Sequence, residues 1–599
     1  MIEEGHAEAD YNETFQPPTA TPPLLPTGGT RAVPKEAPSS NPLVCASMLG
    51  QLENLMALLE QGDADPDFPD VLGRTALGTA TQPEIIYVLQ TARMLRLLLE
   101  GLEEGRPLNM DSLVRRHAEG HRSSVRLGSP LGAVPHTRLS ASIASSPAPA
   151  RVPLPPLARA PGLLLDERRQ VLLGGLREAV FERRLDLTPP PDMRGSTLVE
   201  ALHMRGFVWR VLLGVSPEVA PSSLPCLVLQ ADHAASPIQE ANLSGLLTLY
   251  RSRQESYTAM KTLWKERGGS FDPEYTRIIW QDCLRTDREL DFYRDEKGPG
   301  LRMLNDILLT YCETNRKIGY SQGMSDLLAP ILYLVRDEVE SFWTFSAAMD
   351  RLNAHFDQTQ SGVSEEMGQV FALLGMASRT FAGYVERLEA REGPPQEGVM
   401  PMKYQTCFRS MMLLFKRELS FQQVGPPFPG GALMAATPLP APGAPPTHHA
   451  PGWVGSCGAP PQTMQLWDML WTGYLSPRFH VFVCLALLLQ EAPKMMERGM
   501  TFIDMTCHLQ VGPASRLPPL LALPDPLIRR CILRRGLVLL ISPSSLSHRS
   551  VGQGLAGHLD LGSLLSQAEE HFHHLKRYAT RADAPLWKLR DLFTGTRSR

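Results

Sequence analysis

Helical periodicity dominates the hydrophobic pattern of this 599-residue chain. From about residue 164 almost to the end, apolar residues recur every three or four positions, as expected for amphipathic helices. Within residues 298–318, one predicted helix face carries Leu301, Leu304, Ile307, Leu308 and Tyr311. Alternating apolar and polar runs, which would indicate strands, are sparse. The pattern predicts an all-α domain over residues 195–580.

Two segments break the helical pattern inside this domain. Residues 425–462 contain eleven prolines, and residues 511–557 are rich in Pro, Ser, Gly and Leu. Proline at such density cannot continue a helix, so both segments are expected to loop out of the domain. Each starts close to a Val-Gly pair that follows a glutamine, which is also how translated intron sequence could look. Real insertion and gene-model artefact both remain open.

The first 163 residues divide by composition. Residues 1–40 are rich in Pro, Thr and Ala and are predicted to be disordered. Residues 41–125 show helical patterning, residues 126–163 form a Ser/Pro/Ala linker, and residues 581–599 form a C-terminal tail.

A weak repeat lies within residues 41–125. The segments 43–46 and 77–80 are alike and 34 residues apart, and 56–62 recurs loosely as 95–101. This region resembles ankyrin repeats, whose period is about 33 residues. It departs from them at Gly78, where a histidine is usual, and two repeats are fewer than such arrays need. A helical hairpin that packs on the neighbouring domain is the alternative. In either case the region is a candidate site for a protein partner.

Charge and cysteine usage narrow the class of protein. The net charge is −4, without the basic field that nucleic-acid binding requires. The nine cysteines follow no metal-binding or disulfide pattern, which favours free thiols in a reducing compartment. The N-terminus is acidic, unlike a secretory signal. The apolar run 479–489 is too short to span a bilayer and is predicted to be a core helix. We therefore expect a cytoplasmic protein.

Two short motifs carry the candidate chemistry. The first is Ile279-x-x-Asp282-x-x-Arg285, in which Asp282 and Arg285 share one face if the segment is helical. The second is Tyr320-x-Gln322-Gly323-Met324, which begins 35 residues after Arg285. Either motif alone would be weak, because charged clusters usually lie on solvated helix faces and a Gln-Gly pair usually marks a turn.

In this order and spacing, the two motifs resemble those of the TBC domain, the family of Rab GTPase-activating proteins. The likeness covers roughly residues 195–580, insertions excluded. It extends to the segments Met204–Gly214, Tyr257–Glu266, Val339–Phe345, Leu413–Phe421, Leu466–Thr472 and Leu564–Arg577. The resemblance implies an all-α TBC-type fold and a Rab-family small GTPase as partner. It also implies a role in vesicle trafficking.

The resemblance implies a catalytic role for Arg285 and for Gln322. In this family an arginine inserted into the partner's nucleotide site neutralises charge that develops on the phosphate, and a glutamine orients the attacking water. Arginine suits the task because its planar fork reaches two oxygens and stays protonated. Asp282 would hold the guanidinium, and Tyr320 would support the glutamine loop. Supporting positions are Ile279, Gly323 and Met324.

The activator would need no cofactor of its own, since Mg²⁺ and GTP belong to the partner. It would be an enzyme activator and not itself a hydrolase. Any contact with endosomal or other organelle membranes would be indirect, through the Rab protein. The alternative is a catalytically weak Rab-binding scaffold that acts through its ankyrin-like region. A helical scaffold unrelated to GTPases would need both motifs to match by chance.

Other chemistries find less support in the sequence. The chain has no Gly-rich phosphate loop followed by Lys and Ser or Thr, so we do not expect it to bind GTP itself. His571 and His574 stand at helical spacing, but no third metal ligand is evident, and we expect no metal site. Lys416, Arg417 and Glu418 are typical of a solvated helix face, with Glu418 as a candidate brace to a neighbouring helix.

Overall fold

The computed structural model describes nearly three fifths of the chain. The described residues are 41–60, 65–103, 108–109, 165–189, 195–215, 243–266, 273–357, 359–393, 400–419, 462–511, 560–579 and 587–593. The predicted disordered start, the linker 126–163 and nearly all of both Pro-rich segments lie outside these ranges. So do residues 110–125 and most of the predicted tail.

Four helices form the N-terminal unit, which we define as residues 41–103. They are α1 (Pro42–Met48), α2 (Leu52–Glu60), α3 (Ala76–Thr79) and α4 (Pro83–Glu103). The start of α1 is capped by the side chain of Asn41, which accepts a hydrogen bond from the backbone of Leu43 at 2.9 Å. Between α2 and α3 the chain turns tightly at Gly73, whose φ of 74° favours glycine.

The main domain is helical, as the sequence predicts. Its first helices are α5 (Leu165–Phe181), α6 (Gly195–Leu212), α7 (Leu243–Glu266), α8 (Pro273–Arg285), α9 (Asp291–Arg294), α10 (Pro299–Thr314), α11 (Met324–Val335) and α12 (Glu338–Leu352). The later helices are α13 (Ser361–Ala377), α14 (Arg379–Glu392), α15 (Met402–Gln405), α16 (Phe408–Met412), α17 (Gln462–Thr472), α18 (Phe479–Glu497), α19 (Phe502–Val511) and α20 (Leu561–Ala579). Short 3₁₀ turns cover Asn353–His355 and Trp587–Phe593.

Strand structure in the described residues is limited to one pair of two-residue strands. β1 (Leu108–Asn109) runs parallel to β2 (Leu185–Asp186), with Leu108 opposite Leu185. The pair ties the chain that follows α4 to the chain that follows α5. It does not change the all-α class of the fold.

One hydrophobic core unites the helices from α5 to α20. Helix α18 lies near its centre, where Val481, Phe482 and Leu485 are completely buried. By length and composition α18 could cross a membrane, and it is the one described helix that meets this test. However, 72% of its most apolar window is buried inside the protein. This burial is typical of the core helix that the sequence predicts.

The N-terminal unit packs directly on the main domain. Tyr87 of α4 stacks on Tyr250 of α7, with ring centroids 4.1 Å apart. Arg93 of α4 is buried and pairs with Asp67 at 2.7 Å and with Glu200 of α6 at 3.1 Å. The hairpin alternative therefore describes the packing of this unit, while the ankyrin-repeat interpretation stays a prediction.

The flanks of the first Pro-rich segment lie side by side. The hydroxyl of Thr463 donates to the backbone carbonyl of Leu419 at 3.4 Å, although 44 positions separate the two residues. The two described ends of this segment thus lie next to each other in the domain.

Candidate functional site

The first motif lies on the last two turns of α8. Ile279 faces the core and is fully buried, and Asp282 is only 3% exposed. Arg285 is the last residue of the helix, and its side chain is 24% exposed. Its guanidinium forms an ion pair with the carboxylate of Asp282, one helical turn earlier. The helix therefore buries the carboxylate and leaves the guanidinium at the surface.

The second motif forms the turn that starts α11. Gly323 caps this helix with a φ of 105°, a conformation that side chains with a Cβ rarely adopt. A Cβ at this position would also lie 2.7 Å from Cδ2 of Leu413. The next residue, Met324, is fully buried, whereas Gln322 is exposed. The glycine thus lets the buried helix start directly beside an exposed carboxamide.

Two side-chain hydrogen bonds join the motifs. The hydroxyl of Tyr320 donates to Oδ2 of Asp282 at 2.6 Å. The hydroxyls of Thr286 and Ser325 are hydrogen-bonded to each other at 3.0 Å. The structure therefore fixes the end of α8 against the start of α11 and places both motifs on one side of the domain.

Burial and hydrogen bonding act against each other on Asp282. Burial raises the pKa of its carboxyl, and the nearby Asp326 adds to the rise, while Tyr320, Arg285 and Arg417 lower it. The net result is a raised pKa. Burial raises the pKa of the Tyr320 hydroxyl well above its usual value, and the negative charge of Asp282 adds to the rise. Tyr320 is therefore a hydrogen-bond donor and not a proton source.

A third segment, residues 413–419, completes the site and falls within the segment Leu413–Phe421 that resembles the family. We predicted a solvated face for Lys416, Arg417 and Glu418, with Glu418 as a candidate brace to a neighbouring helix. The solvated face is wrong for Lys416 and Glu418, whereas the pairing of Glu418 with Arg409 of α16 agrees with the brace. Lys416 is 5% exposed and pairs with Asp287 at 2.6 Å, and Glu418 is 1% exposed and pairs with Arg409 at 3.2 Å. Arg417 pairs with Asp326 at 2.6 Å. The charges satisfy one another across the fold because the tertiary structure buries them together.

Two residues with unusual backbone dihedral angles lie directly before the charged residues of this segment. Leu414 and Phe415 have φ values of 47° and 61°, in the left-handed region that disfavours residues with a Cβ. The indole of Trp467 in α17 donates to the carbonyl of Leu414 at 2.9 Å, and the amide of Phe415 donates to the carbonyl of Ser410 at 2.8 Å. These contacts stabilise a sharp turn just before Lys416 and Arg417.

Asp326 and Asp287, the two aspartates that pair with this segment, have pKa values shifted in opposite directions. Burial alone would raise the pKa of Asp326, but Arg417 and Lys416 outweigh burial and hold the pKa below its usual value. For Asp287 burial dominates, so the pKa is raised despite its pair with Lys416. Asp326 is thus a stable anion next to the Asp282–Arg285 pair.

One group of potential metal ligands is found among the described residues, away from the two motifs. Nε2 of His355 and Nε2 of His480 each lie 2.8 Å from Oε2 of Glu366, and all three side chains are buried. These are hydrogen-bonding distances, so Oε2 of Glu366 joins the two imidazoles. The histidines of α20 behave differently: His573 and His574 are exposed beside the buried Phe572.

Chemically, the site can offer a cation and an amide to a molecule outside the chain. The guanidinium of Arg285 pairs with the buried carboxylate of Asp282, while its side chain stays 24% exposed and keeps further N–H donors. The carboxamide of Gln322 is exposed and can both donate and accept hydrogen bonds. A phosphate group with a nearby water would fit such a pair of donors.

Part of the chain is similar in sequence to known proteins. Residues 202–425 match the family model of the Rab-GTPase-TBC domain. TBC1 domain family member 17 of Homo sapiens is 30% identical over 265 residues, which are 43% of this chain and 33% of the relative. GTPase-activating protein GYP7 of Yarrowia lipolytica is 27% identical over 260 residues, covering 39% of this chain and 29% of the relative.

Among solved structures, the Ypt/Rab-GAP domain of Gyp1p aligns with a TM-score of 0.40 and 14% identity. The alignment covers 70% of this chain and 96% of that domain. The chain spans only about a third of the length of the two curated relatives. The shared part contains both motifs, since Arg285 and Gln322 fall inside the matched residues 202–425. Residues 202–425 of the chain are therefore similar to the Rab-GTPase-TBC domain family.

Proposed function

We propose that this chain is a GTPase-activating protein for Rab-type small GTPases, with Arg285 and Gln322 as its two catalytic residues. The observation that carries the proposal is the position of Arg285. Its guanidinium is partly exposed at a helix end, bonded to a buried carboxylate, on the side of the domain where Gln322 is exposed. The names of the relatives, which include GTPase-activating proteins, support the same activity.

The proposed mechanism uses the two side chains for different tasks. Arg285 enters the nucleotide site of the partner and neutralises negative charge that grows on the phosphate oxygens during hydrolysis. Gln322 orients the attacking water through its carbonyl. Asp282 and Tyr320 contact neither nucleotide nor water, and they position the arginine in advance. Mg²⁺ and GTP belong to the partner, and membrane attachment would go through the partner as well.

A single-turnover GTP hydrolysis assay on a panel of purified Rab proteins tests this function. We expect acceleration of at least one Rab protein, and we expect Arg285→Ala to reduce the stimulated rate by roughly 10³-fold or more. Arg285→Lys should recover little of that rate, because lysine lacks the bidentate fork. Binding to the GTP-loaded partner should change little. Acceleration that persists in Arg285→Ala would refute the assignment.

A Rab-binding scaffold without useful catalysis is the second candidate. Five of the seven large apolar side chains that are exposed in the described residues belong to the N-terminal unit. They are Met48, Leu49, Phe68, Val71 and Leu72. Exposed apolar clusters commonly mark protein-binding surfaces. The scaffold would bind GTP-loaded Rab proteins in the same assay but leave the hydrolysis rate of every one unchanged.

A further inference from the structure

Arg417 lies among the charges that surround the proposed catalytic arginine, although it belongs to neither motif. Its Nε and one terminal nitrogen donate to Oδ2 of Asp326 at 3.2 and 2.6 Å. Asp326 is in the first turn of α11, three residues after Gly323. The side chain of Arg417 is 23% exposed, nearly the same as the 24% of Arg285. Both guanidiniums therefore lie at the boundary between the core and the surface.

The chain adopts a strained backbone to bring Arg417 to this place. Leu414 and Phe415, just before Lys416 and Arg417, are consecutive residues with positive φ. The hydrogen bond from Trp467 to Leu414 keeps the turn in this form. Strain of this kind persists only where the surrounding structure fixes it, and it concentrates at functional sites.

Asp282 and Asp326 are both buried carboxylates, and their charges repel each other. Asp326 raises the pKa of Asp282, and Arg417 lowers it. Asp282 must stay ionised to bind Arg285, since a protonated carboxyl would lose the ionic part of that contact. The pair between Arg417 and Asp326 therefore controls a charge that Arg285 needs.

We propose that Arg417 is a positioning residue for Arg285, because its pairing with Asp326 leaves Asp282 as the carboxylate that binds the catalytic guanidinium. Without Arg417, Asp326 would keep only Lys416 and Arg409 as neighbouring cations, and its less compensated charge would favour protonation of Asp282. This role depends on the GTPase-activating function proposed above. Arg417 itself need not touch the partner's nucleotide.

The proposal predicts a pH signature that a purely structural residue would not produce. The groups that face Asp282 are Arg285 and Cys283 on its own helix, Tyr320 before α11, Asp326 on α11, and Arg417. Loss of Arg417 should raise the pKa of Asp282 further, since one lowering charge disappears and one raising charge is unmasked. As the pH is lowered, the stimulated rate of the variant should therefore begin to decline at a higher pH than the stimulated rate of the wild type. Raising the pH again should restore the rate of the variant.

Three proteins test the role of Arg417 in the single-turnover assay across pH. Arg417→Gln should lower the stimulated rate at neutral pH by about 10- to 100-fold, as expected when a catalytic group is displaced by about 1 Å. Its affinity for the GTP-loaded partner should stay within about twofold of the wild-type affinity, because the substitution leaves the contacts that bind the partner in its ground state unchanged. The Asp326→Asn/Arg417→Gln double variant, which leaves no bare carboxylate, should regain a rate within about threefold of the wild type.

The controls separate a folding defect from loss of positioning. Arg351 is more exposed than Arg417, and its terminal nitrogens donate to the backbone carbonyls of Trp471 and Leu212 instead of a carboxylate. Arg351→Gln should lower the melting temperature without shifting the pH profile. If Arg417→Gln does not fold, only the double variant tests the proposal. A stimulated hydrolysis rate near that of the wild type supports the proposal, and a rate that is lost at every pH overturns it.

Two other outcomes are informative in different ways. If the wild type accelerates hydrolysis through Arg285 and Arg417→Gln matches it in rate and pH profile, the role of Arg417 is wrong while the activating function stands. If the wild type accelerates none of the GTPases tested, the activating function itself fails.

Discussion

The hydroxyl of Tyr320 donates a 2.6 Å hydrogen bond to Oδ2 of Asp282, and this contact joins the two motifs of the domain. Asp282 pairs with Arg285 through its other oxygen. One buried carboxylate thus receives a donor from each motif. The side chain in the first motif and the turn in the second are therefore held in a common geometry before any partner binds.

Tyr320→Phe tests this contact. The substitution removes one hydrogen bond to a buried carboxylate, which is worth about 1.5–3 kcal/mol, and it raises the pKa of Asp282. If that energy serves to position Arg285, we expect the stimulated GTP hydrolysis rate to fall by about 10- to 100-fold. Partner affinity should stay near that of the wild type. A Phe variant with an unchanged rate would show that the hydroxyl contributes nothing to positioning.

Gly323→Ala tests the turn that presents Gln322. The new Cβ would combine a φ of 105° with a 2.7 Å contact to Leu413, so we expect a loss of about 1–3 kcal/mol in unfolding free energy. Thermal melts and the hydrolysis assay measure the two consequences. Gly375→Ala is the matched control, because Gly375 lies inside α13 and a Cβ there meets no atom within 4 Å. This control should gain about 0.5–1 kcal/mol.

Arg93→Ala tests how firmly the N-terminal unit is joined to the main domain. Arg93 is buried and pairs with two partly exposed carboxylates, Asp67 and Glu200, so its removal takes away a cation that both share. We expect a destabilisation of about 1.5–3 kcal/mol, measured by denaturant unfolding. Arg251→Ala is the contrast, since Arg251 pairs with Glu84 across the same interface but is 51% exposed. Solvent screens that pair, and its loss should not change the melt detectably.

Removal of the first Pro-rich segment should leave the domain folded. The hydrogen bond between Thr463 and Leu419 shows that a few residues can bridge the gap. We expect a variant with a short Gly/Ser linker in place of residues 421–461 to keep its melting temperature. Shorter loops are favoured by only about 0.6 kcal/mol per halving of length. Hydrolysis assays on this variant and the full chain separate a regulatory insertion from a neutral one. Unfolding of the shortened protein would contradict the expectation.

The cluster of His355, Glu366 and His480 should make the fold sensitive to acid. Burial alone would raise the pKa of Glu366, but the imidazoles of His480 and His355 hold it well below its usual 4.5. A carboxyl with a depressed folded-state pKa stabilises the fold fully above its unfolded pKa, and the stabilisation is lost as the pH falls. Melting temperatures of the wild type and Glu366→Gln should differ most above about pH 4.5 and converge below it. Parallel curves at all pH values would exclude this role.

Most of the helical architecture could be predicted from the sequence. The amphipathic spacing of residues 298–318 predicts a helix, and α10 covers Pro299–Thr314. The motif spacing identified the family that comparison of residues 202–425 supports. The catalytic roles of Arg285 and Gln322 stay predictions, since the structure gives their positions and not their chemistry.

The sequence by itself determined the helices and the two motifs, because periodicity, capping and short-range spacing are local properties of the chain. Only the tertiary structure decided which charges meet. Lys416 and Arg417 look like a solvated face in the sequence, yet packing brings them to Asp287 and Asp326, 129 and 91 positions away. Such contacts depend on how helices pack, and local patterns do not encode the partner of a buried charge.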